Sequence, residues 1–274
     1  MVPNKKGVIM NIEMLVSTMN QTNYNLIHRM NIKDRAVIIN QLTDNNIQIP
    51  RNLDEEKLKF INVHDKGLSK SRNMAIKNSS GDICVICDDD LFYHDDYTNK
   101  IKTAYEENTE ADVIIFCYDT DGRHKKKFYK EAKSLGYIDV MKVSSVQITF
   151  RRKSIIENDI YFDELFGTGS SYYQCGEENI FLFECLKKGL KIHFEPVSIL
   201  SIDNSDESTW FNGFNDKLFW DKGAMFTALS NKFYHFLIWQ FAIRKYKLYR
   251  HETNFIKAIN SMYKGHKNYL SIHR

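Results

Sequence analysis

The chain has 274 residues, of which 43% are hydrophobic and 27% are charged. This composition excludes an intrinsically disordered chain, and apolar runs of only a few residues exclude a membrane channel. Three prolines and twelve glycines exclude collagen-like and low-complexity architectures. Five cysteines are an odd number in a chain far too long for a small disulfide scaffold, so we expect reduced thiols in a cytoplasmic protein.

Charge is distributed unevenly along the chain. Residues 231–274 carry nine Lys or Arg side chains against one acid, a balance of +8, whereas the whole chain carries only +3. Residues 1–230 therefore carry −5. This contrast predicts a main domain over residues 1–230 and a basic, aromatic, helical extension over residues 231–274.

Short apolar runs alternate with helical patterns in the first 120 residues. This order is typical of β-α-β units around a mostly parallel sheet, and nearly continuous apolar strands indicate helices on both faces. The fold class is therefore α/β, with a Rossmann-like sheet flanked by helices. We predict strands at 12–17, 36–40, 60–63, 83–87 and 113–118, and helices at 68–78 and 97–107.

The second half of the chain is less regular. Its pattern predicts a strand at 145–151, a short helix at 155–158, a Gly/Ser loop at 167–173, a buried helix at 177–188, and a strand at 191–195 that Pro196 stops. From residue 216 onward only helices are expected, at 217–230, 232–249 and 253–263.

Cys84 and Cys87 form a C-x-x-C pair inside an apolar run. Such a pair is found in redox motifs and in zinc sites. The chain has no second pair, and a buried free cysteine behaves as a small hydrophobe. We therefore predict that both side chains belong to the core.

Three consecutive acids, Asp88, Asp89 and Asp90, directly follow the apolar run at 83–87. Open α/β sheets bind their ligands at the carboxyl ends of such strands. Adjacent carboxylates repel each other, and a hard divalent cation with oxygen ligands offsets that repulsion. Alternation along an extended segment directs Asp88 and Asp90 to the same side. The pattern favours a metal site over a solvated acidic turn.

The segment KGLSKSRNMAIKNSSGDICVICDDD, residues 66–90, resembles the nucleotide-sugar region of inverting family 2 glycosyltransferases. The shared features are an Arg-Asn pair, a Gly-Asp turn, a hydrophobic strand and an Asp-x-Asp motif. The resemblance implies a glycosyltransferase-A fold with Mn²⁺ or Mg²⁺ held by Asp90, with Asp88 as a further ligand. It assigns the ribose contact to Asp88 or Asp89, and it places Arg72 near the nucleotide, where a guanidinium fits phosphate oxygens.

The first two predicted strands extend this resemblance. IEMLVSTMNQ is similar to the first strand of the family, which implies that Ser17, Thr18 and Asn20 line a uracil pocket. Asn40 and Gln41 stand where the family usually carries an Asp that binds the base. An amide can still donate and accept at a uracil edge, so a UDP-linked donor is expected.

A second pair of acids, Glu177 and Glu178, follows the Gly/Ser loop. FDELFGTGSSYYQCGEENIF resembles the acceptor half of the family, which implies that Glu178 is the general base and that Glu177 holds the acceptor or the loop. From the residues alone, two acids in a first helical turn can also simply stabilise the helix. The resemblance further suggests Asp203 as a lesser candidate metal ligand.

The resemblance, over residues 10–230, implies a metal-dependent enzyme of the hexosyltransferase type. It would move a sugar, with inversion, from a nucleotide diphosphate to a hydroxyl of a glycan or lipid-linked glycan, as in polysaccharide biosynthesis. Residues 1–120 would then bind the donor and residues 121–230 the acceptor. A nucleotidyltransferase would need a Gly-rich phosphate loop, which residues 17–25 lack, and a noncatalytic glycan-binding domain would not need both acidic sites. The basic, aromatic C-terminus is also compatible with a nucleic-acid binder, but the acidic body and the lack of a recognition motif argue against nucleic acid as a partner.

The basic C-terminal segment has two interpretations. Its aromatic residues follow helical spacing, so they could pack on the catalytic domain or on a second subunit in a homo-oligomer. Alternatively, Arg244, Lys245, Lys247 and Arg250 face anionic headgroups and hold the enzyme peripherally at the inner face of the membrane.

Overall fold

The computed structural model of the chain describes residues 10–44, 48–119, 129–202 and 213–273. Within these ranges, ten strands form one mixed sheet. The strands are β1 (Ile12–Met19), β2 (Arg35–Gln41), β3 (Leu53–Asp54), β4 (Leu58–Val63), β5 (Ile83–Asp88), β6 (Leu91–Tyr93), β7 (Val113–Asp119), β8 (Lys133–Ser134), β9 (Ile148–Arg151) and β10 (Ile192–Ile202).

Helices flank the sheet and form the C-terminal segment. They are α1 (Leu26–Arg29), α2 (Leu68–Asn78), α3 (Tyr97–Glu107), α4 (Tyr137–Val140), α5 (Arg152–Glu157), α6 (Glu177–Lys187), α7 (Asp216–Leu229), α8 (Tyr234–Tyr249) and α9 (Phe255–Ile272). The predicted α/β class and the helical C-terminal segment are thus confirmed, and α2 and α3 have their predicted bounds.

The strand order is β3-β4-β2-β1-β5-β9-β7-β10-β6, and β8 pairs with β10. Four neighbouring strands, β4, β2, β1 and β5, run parallel. Their register places Ser17 of β1 opposite Asp88 of β5, and Thr18 opposite Asn40 of β2. Polar side chains at the carboxyl ends of three parallel strands therefore lie together at one end of the sheet, which is called the strand edge below.

Side-chain alternation divides the core between the two faces of the sheet. Leu15 and Ile86 pack on the face covered by α2, α6 and the C-terminal helices, whereas Met14 and Val85 pack on the opposite face with α3. Cys84 and Cys87 point to opposite faces, and burial raises the pKa of each thiol to about 12. All five cysteines are free in this structure, and the burial of Cys84 and Cys87 confirms their prediction as core residues.

The prediction that Pro196 ends a strand is wrong. Strand β10 continues through Pro196 to Ile202. Its pairing with β7 shifts register between Phe194 and Ser198. Proline lacks the N–H that a regular ladder needs, and an irregularity of this kind tolerates the missing donor.

Other differences lie at element ends. Residues Ser145–Gln147 form a 3-10 turn, so the predicted strand at 145–151 is reduced to β9. Helix α9 reaches Ile272 rather than residue 263. The short elements β3, β6, β8, α1 and α4 were not predicted, because two to four residues carry too little periodicity.

Helices α7 and α9 cross with their backbones in contact. A Cβ added at Gly223 of α7 would lie 1.8 Å from the carbonyl oxygen of Met262, and one at Gly265 of α9 would lie 1.8 Å from that of Trp220. The C-terminal segment is therefore packed against α7 and shares its core. None of the helices in the described ranges has the length and apolarity needed to cross a membrane.

Candidate active site

The carboxyl ends of β1, β2 and β5 form one wall of the candidate site, and the first turns of α2 and α6 lie against it. A parallel arrangement brings these strand ends together. The chain after Gly67 joins this wall because the Gly67 N–H donates to Gln41 Oε1 at 2.8 Å. The predicted Gly/Ser loop continues to Gly176, and residues 167–176 are called the Gly-rich loop below. This loop closes the side of the site next to α6.

Arg72 of α2 lies at the centre of this arrangement and is 0% exposed. Its Nη2 donates to Asp88 Oδ1 at 2.8 Å, and its Nη1 donates to Glu177 Oε1 at 3.0 Å. The guanidinium also lies over the Phe162 ring, 5.4 Å from the ring centre. One cation thus joins the acids that end β5 and begin α6.

The charge of Arg72 is compensated within the chain. Burial lowers the pKa of a cation, but Asp88 and Glu177 outweigh it and hold the pKa of Arg72 above its ordinary value. Since the side chain has no exposed surface in this structure, its predicted contact with the nucleotide stays a prediction.

The three adjacent aspartates differ in environment. Asp88 is half-buried and also accepts from Ser145 Oγ at 3.3 Å, whereas Asp89 and Asp90 are exposed. Asp89 accepts from the Thr18 hydroxyl. Strand β5 ends at Asp88 and a turn follows, so the extended segment does not reach Asp90, and the shared direction of Asp88 and Asp90 stays a prediction. The exposed carboxylates could hold a hard cation together with substrate oxygens.

The residues predicted to line a uracil pocket lie at this edge. The Ser17 hydroxyl accepts from Ser71 Oγ at 2.8 Å, and Thr18 Oγ1 accepts from Gln21 Nε2 at 2.9 Å. Asn20 has φ +53°, a left-handed conformation that asparagine tolerates better than most residues. It binds Thr43 through both ends of its amide, at 2.7 and 2.9 Å.

Asn40 and Gln41 face inward. Asn40 is 0% exposed; its Oδ1 accepts from the Gln21 N–H at 2.9 Å, and its Nδ2 donates to Asn62 Oδ1 at 2.8 Å. Gln41 is 4% exposed and holds the Gly67 N–H. Both amides thus fix loops at the strand edge, and their contact with a base stays a prediction.

Two glycines allow α6 to begin close to its neighbours. Gly176, the N-cap of α6, has φ +100°, and a Cβ there would lie 2.4 Å from Met225 Sδ. Gly167 has φ +105°, and a Cβ there would lie 3.3 Å from Glu177 Cδ. The Gly-rich loop also docks on α2, because the Leu68 N–H donates to the Thr168 carbonyl at 3.0 Å.

Glu177 and Glu178 have different surroundings. Glu177 is 6% exposed and bound to Arg72, so it holds the loop end of α6. Glu178 is half-buried. Burial raises the pKa of Glu178 to about 7, Glu177 adds to the rise, and Lys222 and Arg72 oppose it. A carboxylate with this pKa can take a proton near neutral pH.

Sequence reasoning missed Ser71, Ser145 and Lys222. Ser145 precedes β9 and binds Asp88, and Lys222 of α7 lies near Glu178. No motif marks Ser145 and Lys222, because the fold brings them to the site from distant positions. Ser71 lies beside Arg72 within residues 66–90, but nothing in the sequence distinguishes it from the other serines of that segment. Asp203 lies outside the described residues. Within those residues, no cluster of three or more His, Cys, Asp or Glu side chains could hold a metal ion.

Replacing Arg72 with Met should destabilise the fold strongly. The substitution leaves Asp88 and Glu177 without their shared cation, and breaking a buried pair in this way costs about 3–5 kcal/mol. Lys70→Met is the matched control, because Lys70 pairs with Asp65 at the surface, where ion pairs contribute about 0–1 kcal/mol. Denaturant unfolding gives both values. Equal stability of the two variants would contradict this account of Arg72.

The comparison with known protein families agrees with the geometry of the strand edge. The family model described as glycosyl transferase family 2 matches residues 13–168, more than half of the chain. No curated protein matches the chain. Glu177 and Glu178 lie beyond the matched range, so the family match rests on the strand-end half of the site.

Solved structures of S. aureus TarS are similar in fold. TarS 1–349 in complex with UDP-GlcNAc has a TM-score of 0.64 and 16% identity, over 96% of this chain and 90% of that one. TarS 1–349 in complex with UDP has a TM-score of 0.60 and 15% identity, over 96% and 92%. A longer TarS chain, of which the alignment covers 43%, has a TM-score of 0.58 and 14% identity over 95% of this chain. The chain belongs to glycosyl transferase family 2 and is a glycosyltransferase with a glycosyltransferase-A type fold.

Proposed function

We propose that this enzyme transfers a sugar, with inversion, from a UDP-linked donor to a hydroxyl of a glycan or lipid-linked glycan. One observation carries the proposal: Asp88 and Glu177 share the buried Arg72. The strand end that would take the donor and the helix start that would take the acceptor are therefore held side by side. Residues 1–120 and 121–230 correspond to these two halves, and residues 231–274 to the C-terminal extension.

The donor side is supported by fold and by local chemistry. The similar TarS structures contain UDP and UDP-GlcNAc, and open α/β sheets bind nucleotides at the strand edge. Thr18, Asn20 and Asp89 offer hydroxyl, amide and carboxylate groups at that edge. We assign the ribose contact to Asp89, because Asp88 is already bound by Arg72 and Ser145.

The exposed acids fit a divalent cation shared with the substrate. Mg²⁺ is usually held by one or two carboxylates together with substrate phosphates rather than by an all-protein cage. We assign Asp90 as the anionic ligand for Mn²⁺ or Mg²⁺, because it is the last acid of the Asp-x-Asp motif and its side chain is exposed to solvent. When bound, such an ion neutralises charge that develops on the leaving diphosphate.

Glu178 supplies the base on the acceptor side. Its carboxylate takes the proton from the acceptor hydroxyl as the hydroxyl oxygen attacks the anomeric carbon. The bond from that carbon to the diphosphate oxygen breaks, and the electron pair leaves with the nucleoside diphosphate. A single displacement of this kind inverts the anomeric centre. Glu177 is bound to Arg72 and lies against Gly167 of the Gly-rich loop. It therefore fixes the start of α6 and does not take the proton.

Replacing Glu178 with Gln should separate binding from chemistry. The amide keeps the shape but cannot accept the proton, so UDP release from UDP-sugars should fall by about 10²–10⁴-fold, while thermal shift by UDP persists. Wild-type release should rise with pH through the Glu178 pKa of about 7, because only the ionised form accepts a proton. If Glu178→Gln is fully active and Glu177→Gln is not, the base is Glu177.

Asp90→Asn tests the metal assignment. The substitution removes the anionic ligand and keeps the size, so Mn²⁺-stimulated UDP release should fall by orders of magnitude. Stability should change little, because Asp90 is exposed. Asp95→Asn, at an exposed acid of the following turn, is the control. Undiminished wild-type activity in excess EDTA would contradict the assignment.

We propose that the enzyme binds the membrane peripherally through an exposed face of α8. Phe236 and Ile243 are 67% and 63% exposed, and two turns of helix separate them on one side. Contiguous exposed apolar side chains indicate an interaction surface. The face is flanked by exposed cations, Arg244, Lys247 and Arg250, so a second copy would bring like charges together. An anionic lipid surface fits both the apolar and the basic residues.

Co-sedimentation with liposomes tests this location. The intact protein should bind vesicles that contain phosphatidylglycerol, binding should weaken as salt rises, and it should be lost in Phe236→Ser/Ile243→Ser. Both side chains are exposed, so the variant should keep the fold. Absence of binding to anionic vesicles at low salt would contradict membrane association, and a dimer dissociated by the same substitutions would assign the face to a homo-oligomer.

A further inference from the structure

Helix α7 forms a wall of the acceptor side of the site. Asp221 Oδ2 accepts from the Gln174 N–H at 3.2 Å, and Met225 lies so close to Gly176 that a Cβ there would be 2.4 Å from its sulfur. These two contacts fall on either side of Lys222, whose Nζ lies 3.6 Å from Met225 Sδ. The Lys222 ammonium is therefore held over the turn that begins α6.

The charged groups around Lys222 come from α6, α7 and α8. The side chain is half-buried, and no carboxylate in the described ranges lies within 4.0 Å of its ammonium as an ion-pair partner. Cys175 lies beside it as a neutral thiol, since burial raises the pKa of Cys175. Burial lowers the pKa of Lys222, whereas Cys175, Glu178 and Glu177 raise it. Asp221, the neighbour of Lys222 on α7, also interacts with its charge but is paired with Lys217. Lys245 of α8 is the cation that Lys222 repels.

We infer that Lys222 is a positioning residue for the general base, and that its ammonium keeps the Glu178 carboxylate ionised and turned toward the acceptor side. The inference rests on the proposed role of Glu178. It gives the C-terminal helices a part in the reaction, because α7 is fixed by its backbone contact with α9 at Gly223 and Gly265.

The charges around Glu178 set the sign of the effect. Burial and the Glu177 carboxylate raise the pKa of Glu178, while Lys222 of α7 and Arg72 of α2 lower it. Arg72 is already bound to Asp88 and Glu177. Lys222 is one of the two cations that lower this pKa, so removing its charge should raise the titration midpoint of Glu178.

Carbon-13 NMR titration of the Glu carboxyl carbons tests the inference without an activity assay. The Glu178 signal is identified by its absence from the spectrum of Glu178→Gln. Lys222→Met should raise the Glu178 midpoint by about 1 pH unit, and Lys222→Gln gives a second neutral replacement if the Met variant folds poorly. Lys222→Arg keeps the charge and should leave the midpoint in place.

Lys264→Met is the matched control, because it removes one exposed charge from α9. It should leave the Glu178 midpoint unchanged. An unchanged midpoint in folded Lys222→Met would overturn the inference. Full UDP release by Glu178→Gln would instead overturn the proposed function, while the coupling between Lys222 and Glu178 would still be measured by the NMR titration.

Discussion

The buried guanidinium of Arg72 is the constraint on which the site depends. A cation without exposed surface requires anionic partners, and the chain supplies Asp88 from the end of β5 and Glu177 from the start of α6. These acids come from positions 89 residues apart. Their common partner fixes the distance between the strand edge and the helix start, which are the two surfaces that a transfer reaction must bring together.

The C-terminal helices support this arrangement from behind. Met225 packs against the N-cap of α6, and Gly223 and Gly265 let α7 and α9 cross with their backbones in contact. Residues 231–274 differ in net charge from residues 1–230, yet the two parts share one hydrophobic core. The opposite face of α8 remains exposed and basic, so one segment combines a supporting role with the proposed lipid contact.

Elements with long, regular patterns could be predicted from the sequence. Continuous apolar runs predict the parallel strands and the three aspartates that follow β5, and the resemblance assigns roles to these acids and to Glu177 and Glu178. The bonds of Asn40, Gln41 and Arg72 could not be predicted, because a polar side chain in a motif looks the same whether it faces a ligand or the interior. The continuation of β10 past Pro196 could not be predicted either, because it depends on an irregular pairing with β7. Such an irregularity is a property of two strands and not of one segment.

Lys222 shows the same limit at the level of the site. Its position near Glu178 depends on the crossing of α7 with α9, which local periodicity does not encode. Residue type and spacing therefore identify what chemistry a segment can supply, whereas the packing of distant elements decides which charges act on it.

Calorimetric titration of the wild-type protein with UDP-GlcNAc and with UDP, in Mn²⁺ buffer, tests the central claim most directly. The claim is that the edge held by Arg72 is a nucleotide-sugar site. Saturable binding of one ligand per chain, weakened by excess EDTA, is the result that the account predicts. Absence of heat with UDP and with a panel of UDP-, GDP-, CDP- and dTDP-linked sugars at millimolar concentration would contradict it.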